Sequence, residues 1–282
     1  MAKCVRCGKK GLFLKLDLNG HCHECAAAFQ EERREKARIA AAQRKEAALQ
    51  RLKSIPRYKI TLSDTVRKRK TGYEPVKTSN ITPKGVYDRF VVFDTETTGL
   101  APSKNRIVEL AAIRFVDGEP EQLFTALIDP ECEIPEEVSM LNGITNKIVD
   151  GFPTISQVLP AFEDFIGNDL LIAHNLEFDL KCLFYSGSKL FKTNRKYIDT
   201  LEQAQKLLKK PKVRKFAPDP DDPWDEGGWH YDYDSDYDVE NHKLDTLCEY
   251  YDIIRPYEHR AAADALATGD LFLKLVEEKQ SR

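Results

Sequence analysis

Arg89 to Leu100 reads RFVVFDTETTGL. The run Arg89-Phe-Val-Val-Phe93 has the β-branched and aromatic content of a strand entering a core. Two acids then follow, Asp94 and Glu96, with Thr95 between them. Side chains alternate along a strand, so the two acids share one face while Phe93 and Thr95 share the other. Like charges on one face repel unless something positive lies between them. Alone, the pair also suits a strand end that simply emerges into water.

Working outward, Arg106–Val116 (RIVELAAIRFV) and Gln122–Ile128 read as two further strands, separated by the turn Asp117-Gly-Glu-Pro120. Three consecutive strands with short turns form an antiparallel meander. Helical patterns follow at 135–141 and 154–165, then a short apolar strand at 169–173 and a helix opening near Asn175 or Leu176. Tyr197-Ile198 reads as a last short strand, with Asp199 capping a helix through Leu208. Residues 243–250 and 260–279 read as helices. The order predicts an α/β domain over 87–282, a mixed sheet with helices on its faces.

Two more segments carry acids beside a histidine. His174-Asn-Leu-Glu-Phe-Asp179 opens one helix, which puts Asp179 in a first turn where the helix dipole favours a carboxylate. His259-Arg-Ala-Ala-Ala-Asp264 opens the last helix. Residues five apart on a helix diverge by about 140°, so His259 shares a site with Asp264 only from the preceding loop. Pro256 suits such a loop, and Ala261, Ala262, Ala263 and Ala265 allow close packing on the sheet.

Together Asp94-x-Glu96, Asp179 in H-N-x-x-F-D, and His259-x4-Asp264 resemble the three motifs of the DEDDh 3′–5′ exonucleases, above all the proofreading epsilon subunits of bacterial DNA polymerase III. Ile134–Thr145 (IPEEVSMLNGIT) resembles the same group. Arg260 stands where a tyrosine-type relative would carry Tyr, so the histidine class fits. The resemblance implies an RNase H-like fold and two Mg²⁺ or Mn²⁺ ions per site. Asp94 would bridge both ions, Glu96 and Asp264 would complete one, and Asp179 would serve the other. Hard cations prefer carboxylate oxygens, and two of them stabilise both the attacking and leaving oxygens of a phosphodiester. His259 would be the general base; an imidazole suits that role when neutral. Substrate contacts are expected at Thr95, Thr97 and Leu100, and more weakly at His174 and Asn175. The expected substrate is a single-stranded 3′ end. Epsilon favours DNA, although RNase T and oligoribonuclease share the motifs, and a non-catalytic nucleic-acid-binding module on the same fold is the other alternative. A polymerase or repair protein is an expected partner.

The N-terminus has a different character. Cys4-Val-Arg-Cys7 and Cys22-His-Glu-Cys25 are two C-x2-C pairs separated by 14 residues. Thiolates suit Zn²⁺ and each pair supplies two, so 1–25 reads as a zinc ribbon holding one structural ion, with His21 and His23 as substitute ligands and a redox pair as the rival. Cys132, Cys182 and Cys248 lack partners at ligand spacing and read as ordinary thiols. Residues 26–56 hold strong helix formers up to Pro56 and a thin apolar stripe, which predicts a long exposed basic helix. Residues 57–86, with Arg67-Lys-Arg-Lys70, read as a mobile basic linker.

Charge is unevenly spread. Residues 1–89 hold 22 Lys and Arg against 9 Asp and Glu, while the rest hold 21 against 37. A basic arm suits a polyanionic partner. The run Pro218–Glu240 holds ten acids and no Lys or Arg, plus both tryptophans and three tyrosines, and reads as an acidic surface insertion in a loop. No apolar run approaches a membrane span and the first residues are no signal peptide, so the expectation is a cytoplasmic protein without a membrane partner.

Overall fold

The computed structural model describes residues 2–11, 14–192, 195–216, 228–233 and 235–282 of the 282-residue chain. It divides into two compact units, 1–48 and 49–282. In the first, β1 (Ala2–Lys3) pairs antiparallel with β2 (Lys10–Gly11), and α1 (His23–Ser54) begins inside the second cysteine pair and runs past the boundary between the units. α1 buries no residue along its length. Pro56 lies two positions past its end, as the sequence predicts. Glu32 bonds Arg6 of the same unit rather than its helical neighbour Lys36.

The second unit is built on a five-stranded sheet. β3 (Arg89–Thr97), β4 (Ile107–Val116) and β5 (Glu119–Leu127) form the predicted antiparallel meander. α2 (Glu136–Asn142), α3 (Asn146–Val149) and α4 (Ile155–Ile166) lead to β6 (Leu170–Ala173), which runs parallel to β3. α5 (Leu176–Tyr185) then crosses to β7 (Tyr197–Asp199), parallel to β6, and α6 (Thr200–Leu207) follows. The spatial order is β5-β4-β3-β6-β7. β8 (Lys212–Phe216) and β9 (Gly228–Asp232) form a separate antiparallel pair, and α7 (Leu244–Tyr250) and α8 (Ala261–Ser281) close the chain. This is the mixed sheet with helices on its faces that an RNase H-like fold requires.

β3 is buried on both faces, hence its unbroken apolar run. Val91 and Phe93 pack with Phe162 of α4 and Leu180 of α5. Phe90 and Val92 pack with Phe115 and with Phe272 of α8. α8 lies close on the sheet because its inner face is small. Ala261, Ala263 and Ala265 are fully buried, and a Cβ at Gly269 would stand 2.2 Å from the Phe115 ring. Among the described residues no helix is long and apolar enough to cross a membrane.

Residues 57–86 differ from the expected mobile linker. They form no regular helix or strand, yet they are fastened along their length. Tyr58 N–H donates to Leu123 O on the β5 edge at 2.8 Å, and Ser79 N–H donates to Tyr197 O on the β7 edge at 2.7 Å. Between them Arg67 pairs with Glu163 at 2.9 Å, Tyr73 meets Phe184 and Phe191 edge-on, and Ile81 is buried further on. The strap thus covers both open edges of the sheet, whose unpaired backbone groups would otherwise template association. Its aromatics, spaced among the basic residues, supply the apolar contacts.

The acidic run also departs in part from the loop expectation. Residues 217–227 and 234 lie outside those described, but 228–232 are strand, with Tyr231 opposite Val213 and Trp229 opposite Lys215. The aromatics at 229, 231 and 233 recur with period two, a strand signal masked by the acid-rich run around them.

Candidate active site

β3 carries Asp94 and Glu96 out of the core on the face that α8 covers, and Asp264 sits in the first turn of α8. The three carboxylates bring oxygens within 4.8 Å of one another. Burial, together with the charges of Asp179, Asp264 and Glu96, pushes Asp94 well above the usual carboxylate range. Burial and the charges of Asp264 and Glu109 push Glu96 up to about 8, opposed by Asn142, whose Nδ2 lies 3.4 Å from Glu96 Oε2. Asp264 rises to about 7 through burial, opposed by Arg255, whose Nη1 lies 3.2 Å from Asp264 Oδ1. Such a cluster is unfavourable as bare anions and suits divalent cations with oxygen ligands.

Asp179 lies outside that group of three but within its electrostatic reach. It is buried in the first turn of α5, and its Oδ1 accepts from Thr95 N–H at 3.0 Å and Thr95 Oγ1 at 2.5 Å. Thr95 therefore positions an acid from the opposite face of β3. Burial pushes Asp179 up to about 7 despite those bonds.

Asp94, Asp264, His259, His174, Asn175 and Leu100 line one cavity of about 630 Å³. His259 lies on the loop just before α8, as its spacing from Asp264 demands, in a left-handed backbone conformation with φ 52°. Asn175, at the mouth of α5, is left-handed too, with φ 64°. Side chains other than Gly adopt this region seldom, and functional sites are where it accumulates. The Asn175 N–H donates to Asp199, which also caps α6. Leu100 is 91% exposed.

Two residues expected at the substrate also make structural hydrogen bonds. Thr97 is buried and its Oγ1 donates to Gly99 O at 2.7 Å, closing the turn after β3. His174 bridges Thr200 Oγ1 and His242 O, each at 3.0 Å. Burial holds His174 down at about 4, so it is neutral at physiological pH and ties β6 to α6 and the segment before α7.

Three residues of the site are not among those singled out from the motifs. Glu109 of β4 lies opposite Glu96 and is buried. It accepts from Arg260 Nε at 3.1 Å, Arg260 Nη2 at 3.0 Å and Ala261 N–H at 3.0 Å, anchoring the start of α8 between His259 and Asp264. The sequence signal for it is a single acid in a strand that is otherwise apolar apart from Arg114. Asn142 belongs to the quoted LNGIT stretch. Arg255, nearly buried and bound to Asp245 and Asp264, carries no local signal.

The four cysteines at 4, 7, 22 and 25 form a second cluster in the N-terminal unit, with sulfurs within 4.8 Å of one another. Cys7 and Cys22 sulfurs are 3.8 Å apart and unbridged. Zn–S bonds of about 2.3 Å in a tetrahedron place sulfurs at nearly that separation. Backbone N–H groups of Cys7 and Cys22 hold the Cys4 thiol down at about 6, whereas burial and neighbouring thiols push Cys25 up to about 12. His21 lies 3.6 Å from Asp17, and neither His21 nor His23 joins the group. Cys182 and Cys248 are buried thiols, but Cys132 is exposed.

The family model described as Exonuclease matches residues 91–272, a span that contains Asp94, Glu96, Asp179, His259 and Asp264. The chain belongs to this exonuclease family. Among curated relatives it is 36% identical over 192 residues to the DNA polymerase III PolC-type of Oceanobacillus iheyensis and 32% identical over 194 residues to that of Bacillus subtilis. These matches cover 67% and 68% of this chain, but the chain spans only 12% of the length of each relative. Exonuclease X in complex with 5′ overhanging duplex DNA superposes with a TM-score of 0.47 at 21% identity, covering 67% of this chain and 91% of the other. E. coli Exonuclease I in complex with a dT13 oligonucleotide gives 0.48 at 19% identity, covering 69% and 42%.

Proposed function

We propose that the protein is a metal-dependent 3′–5′ exonuclease that removes nucleoside 5′-monophosphates stepwise from single-stranded DNA. The observation that carries this reading is the convergence of Asp94, Glu96 and Asp264 from two distant segments, with His259 on the same cavity. The DNA polymerase names of the relatives support deoxyribonucleotides over ribonucleotides.

Asp94, Glu96 and Asp264 would hold one Mg²⁺ or Mn²⁺, and Asp94 with Asp179 a second. Bound there, the cations would offset the charge that builds on attacking and leaving oxygens in an in-line displacement. The protein's own groups do the positioning. Thr95 fixes Asp179, Asn142 steadies Glu96, and Glu109 with Arg260 sets the loop that carries His259. His259 would take the proton from the attacking water, and Leu100 would support the terminal base. Cys4, Cys7, Cys22 and Cys25 would hold one Zn²⁺, which would cross-link a segment otherwise too small to fold. The basic strap and α1, and any polymerase or repair partner, belong to the same proposal as means of bringing a strand to the site.

The test is shortening of 5′-labelled single strands, matched in DNA and RNA, with Mn²⁺ present. DNA should be shortened from its 3′ end, and Asp94→Ala should lower the rate at least a thousandfold, the order lost when groups that act as a unit are removed. A wild-type rate in Asp94→Ala would sink the assignment, and faster loss of the RNA strand would move it to the ribonucleases.

A further inference from the structure

One wall of the active-site cavity comes from outside the motif segments. Tyr231 of β9 and Lys210, just before β8, line the same cavity as Asp94, His259 and Asp264. Alternation along β9 puts Trp229 on the same face as Tyr231, and Tyr233 continues the row past the strand end. These rings are 71%, 49% and 58% exposed, and Val213 opposite Tyr231 is 50% exposed. Large exposed apolar groups in series are informative where isolated ones are not. The rings do not collapse onto one another: Tyr231 and Tyr233 have centroids 6.3 Å apart with a tilt of 51°. Lys210 Nζ stands 5.8 Å over the Tyr231 ring.

The acids around these rings would repel a polyanion if unanswered. The described ones largely have partners. Arg214 pairs with Asp232 at 2.6 Å, Lys209 Nζ with Asp236 at 2.9 Å, and the Lys209 N–H donates to Asp238 at 2.7 Å. What the described residues of the hairpin bring to the cavity, Tyr231 and Lys210, is therefore an aromatic ring with a cation, the combination that binds single strands by base stacking without sequence preference. Tyr231 joins this row to the cavity that Asp94, His259 and Asp264 line.

We propose that the β8–β9 hairpin is a stacking platform for the substrate strand, in which Tyr231 and Tyr233 hold bases 5′ to the nucleotide being removed and Trp229 extends the row. The proposal rests on the exonuclease reading for the polarity of the strand, but not for its binding. The occupant is a single-stranded nucleic acid; a protein docked on the same rings is the rival outcome.

The test measures binding of a 5′-fluorescein-labelled 20-nucleotide DNA single strand by anisotropy, in an Asp94→Asn background so that the strand survives. Tyr231→Ala with Tyr233→Ala should raise Kd roughly a hundredfold, about tenfold per lost ring. Tyr231→Phe with Tyr233→Phe keeps both rings and should stay within about threefold of the parent, since stacking needs no hydroxyl. With Asp94 restored, the alanine pair should also lower the ratio of kcat/KM on the 20-mer to that on thymidine 5′-monophosphate p-nitrophenyl ester, which has no upstream bases. An alanine pair that binds the 20-mer as tightly as the parent overturns the platform and leaves the rings to a protein partner. Equal losses in the alanine and phenylalanine pairs overturn it too, by pointing to hydroxyl contacts. A wild-type protein that cleaves neither substrate, while its strand binding still depends on the rings, would instead remove the exonuclease reading and keep the platform.

Discussion

The molecule gathers metal-seeking side chains in two places, in opposite physical ways. The four thiols come from Cys4 to Cys25, one short stretch in which Cys4 and Cys22 are the sole buried residues among those described up to Ala48. The carboxylates come from Asp94, Glu96, Asp179 and Asp264, brought together by a sheet and helices whose apolar packing is complete without them. In the first unit the cluster is the core. In the second, the core holds a cluster that resists being held, since burial raises Asp94, Glu96, Asp179 and Asp264 alike and repulsion within the cluster raises Asp94 and Glu96 further. A cation should therefore create order in one and relieve strain in the other.

The contrast breaks most visibly under chelation. A strong zinc chelator, or Cys4→Ser with Cys25→Ser, should abolish the fold of residues 2–22, because so small a segment has no other source of stability. Hydrogen exchange would show it as complete loss of protection at the Cys4, Val5 and Cys22 amides, which are bonded to Lys9 O, Gly20 O and Cys4 Sγ. The melting transition of the sheet domain should stay put. Retained protection in zinc-free protein would mean that the ribbon folds on local contacts alone.

A smaller effect of opposite sign is expected at the carboxylates. Asp264→Asn should raise the stability of metal-free protein by ~1–2 kcal/mol at neutral pH, in the range usual for relieving a strained functional site, while abolishing cleavage. The sign follows from its folded pKa of about 7, which lies above the ordinary value of 3.8. A raised carboxyl contributes its full stability below the unfolded value and loses it as pH rises through the folded one. The advantage of Asn should thus be near zero around pH 4, grow with pH, and level off above about 7. Added Mg²⁺ should shrink or reverse it. Melting curves from pH 4 to 8 would check this; a gain independent of pH would show that charge is not its source.

Much of this arrangement can be read from residue patterns because its determinants are local. The meander follows from three apolar runs with turn residues between them, and His259 had to lie on a loop because five residues do not return to one helix face. The cysteine spacing states its cluster outright. What escapes the sequence is contact between distant segments. The strap at 57–86 looks like a linker because its few aromatics are diluted by Lys and Arg, and only the sheet edges they meet give them a function. The β9 strand is hidden for the same reason, its period-two aromatics set in an acid-rich run. The residue pattern at Thr97 and His174 likewise does not show that Thr97 closes a turn and that His174 joins three segments through its ring nitrogens.

Glu109 is where the two halves of the contrast meet most finely, because its charge both holds the site and opposes it. It anchors Arg260 and the first N–H of α8, yet it also raises Glu96 and Asp264. Glu109→Gln keeps the shape and removes the charge. Relief of repulsion should be slight, since Arg260 already neutralises Glu109 at 3.0 Å. Loss of the ion pair should also be modest, because the Arg260 side chain is 43% exposed and can turn to water. The anchoring loss wins by a small margin: about 1 kcal/mol of stability, as for a helix cap. Catalysis should suffer more than folding, because His259 and Asp264 flank the anchored turn and small displacements of reacting groups are costly. We expect kcat to fall roughly fivefold to twentyfold with KM nearly unchanged, the pattern of a positioning residue that does not touch substrate. Glu109→Ala, which also gives up the bond to the Ala261 N–H, should be worse on both counts. A rise in KM with kcat preserved would instead place Glu109 on the substrate, and a gain in metal-free stability would show that repulsion outweighs the anchor.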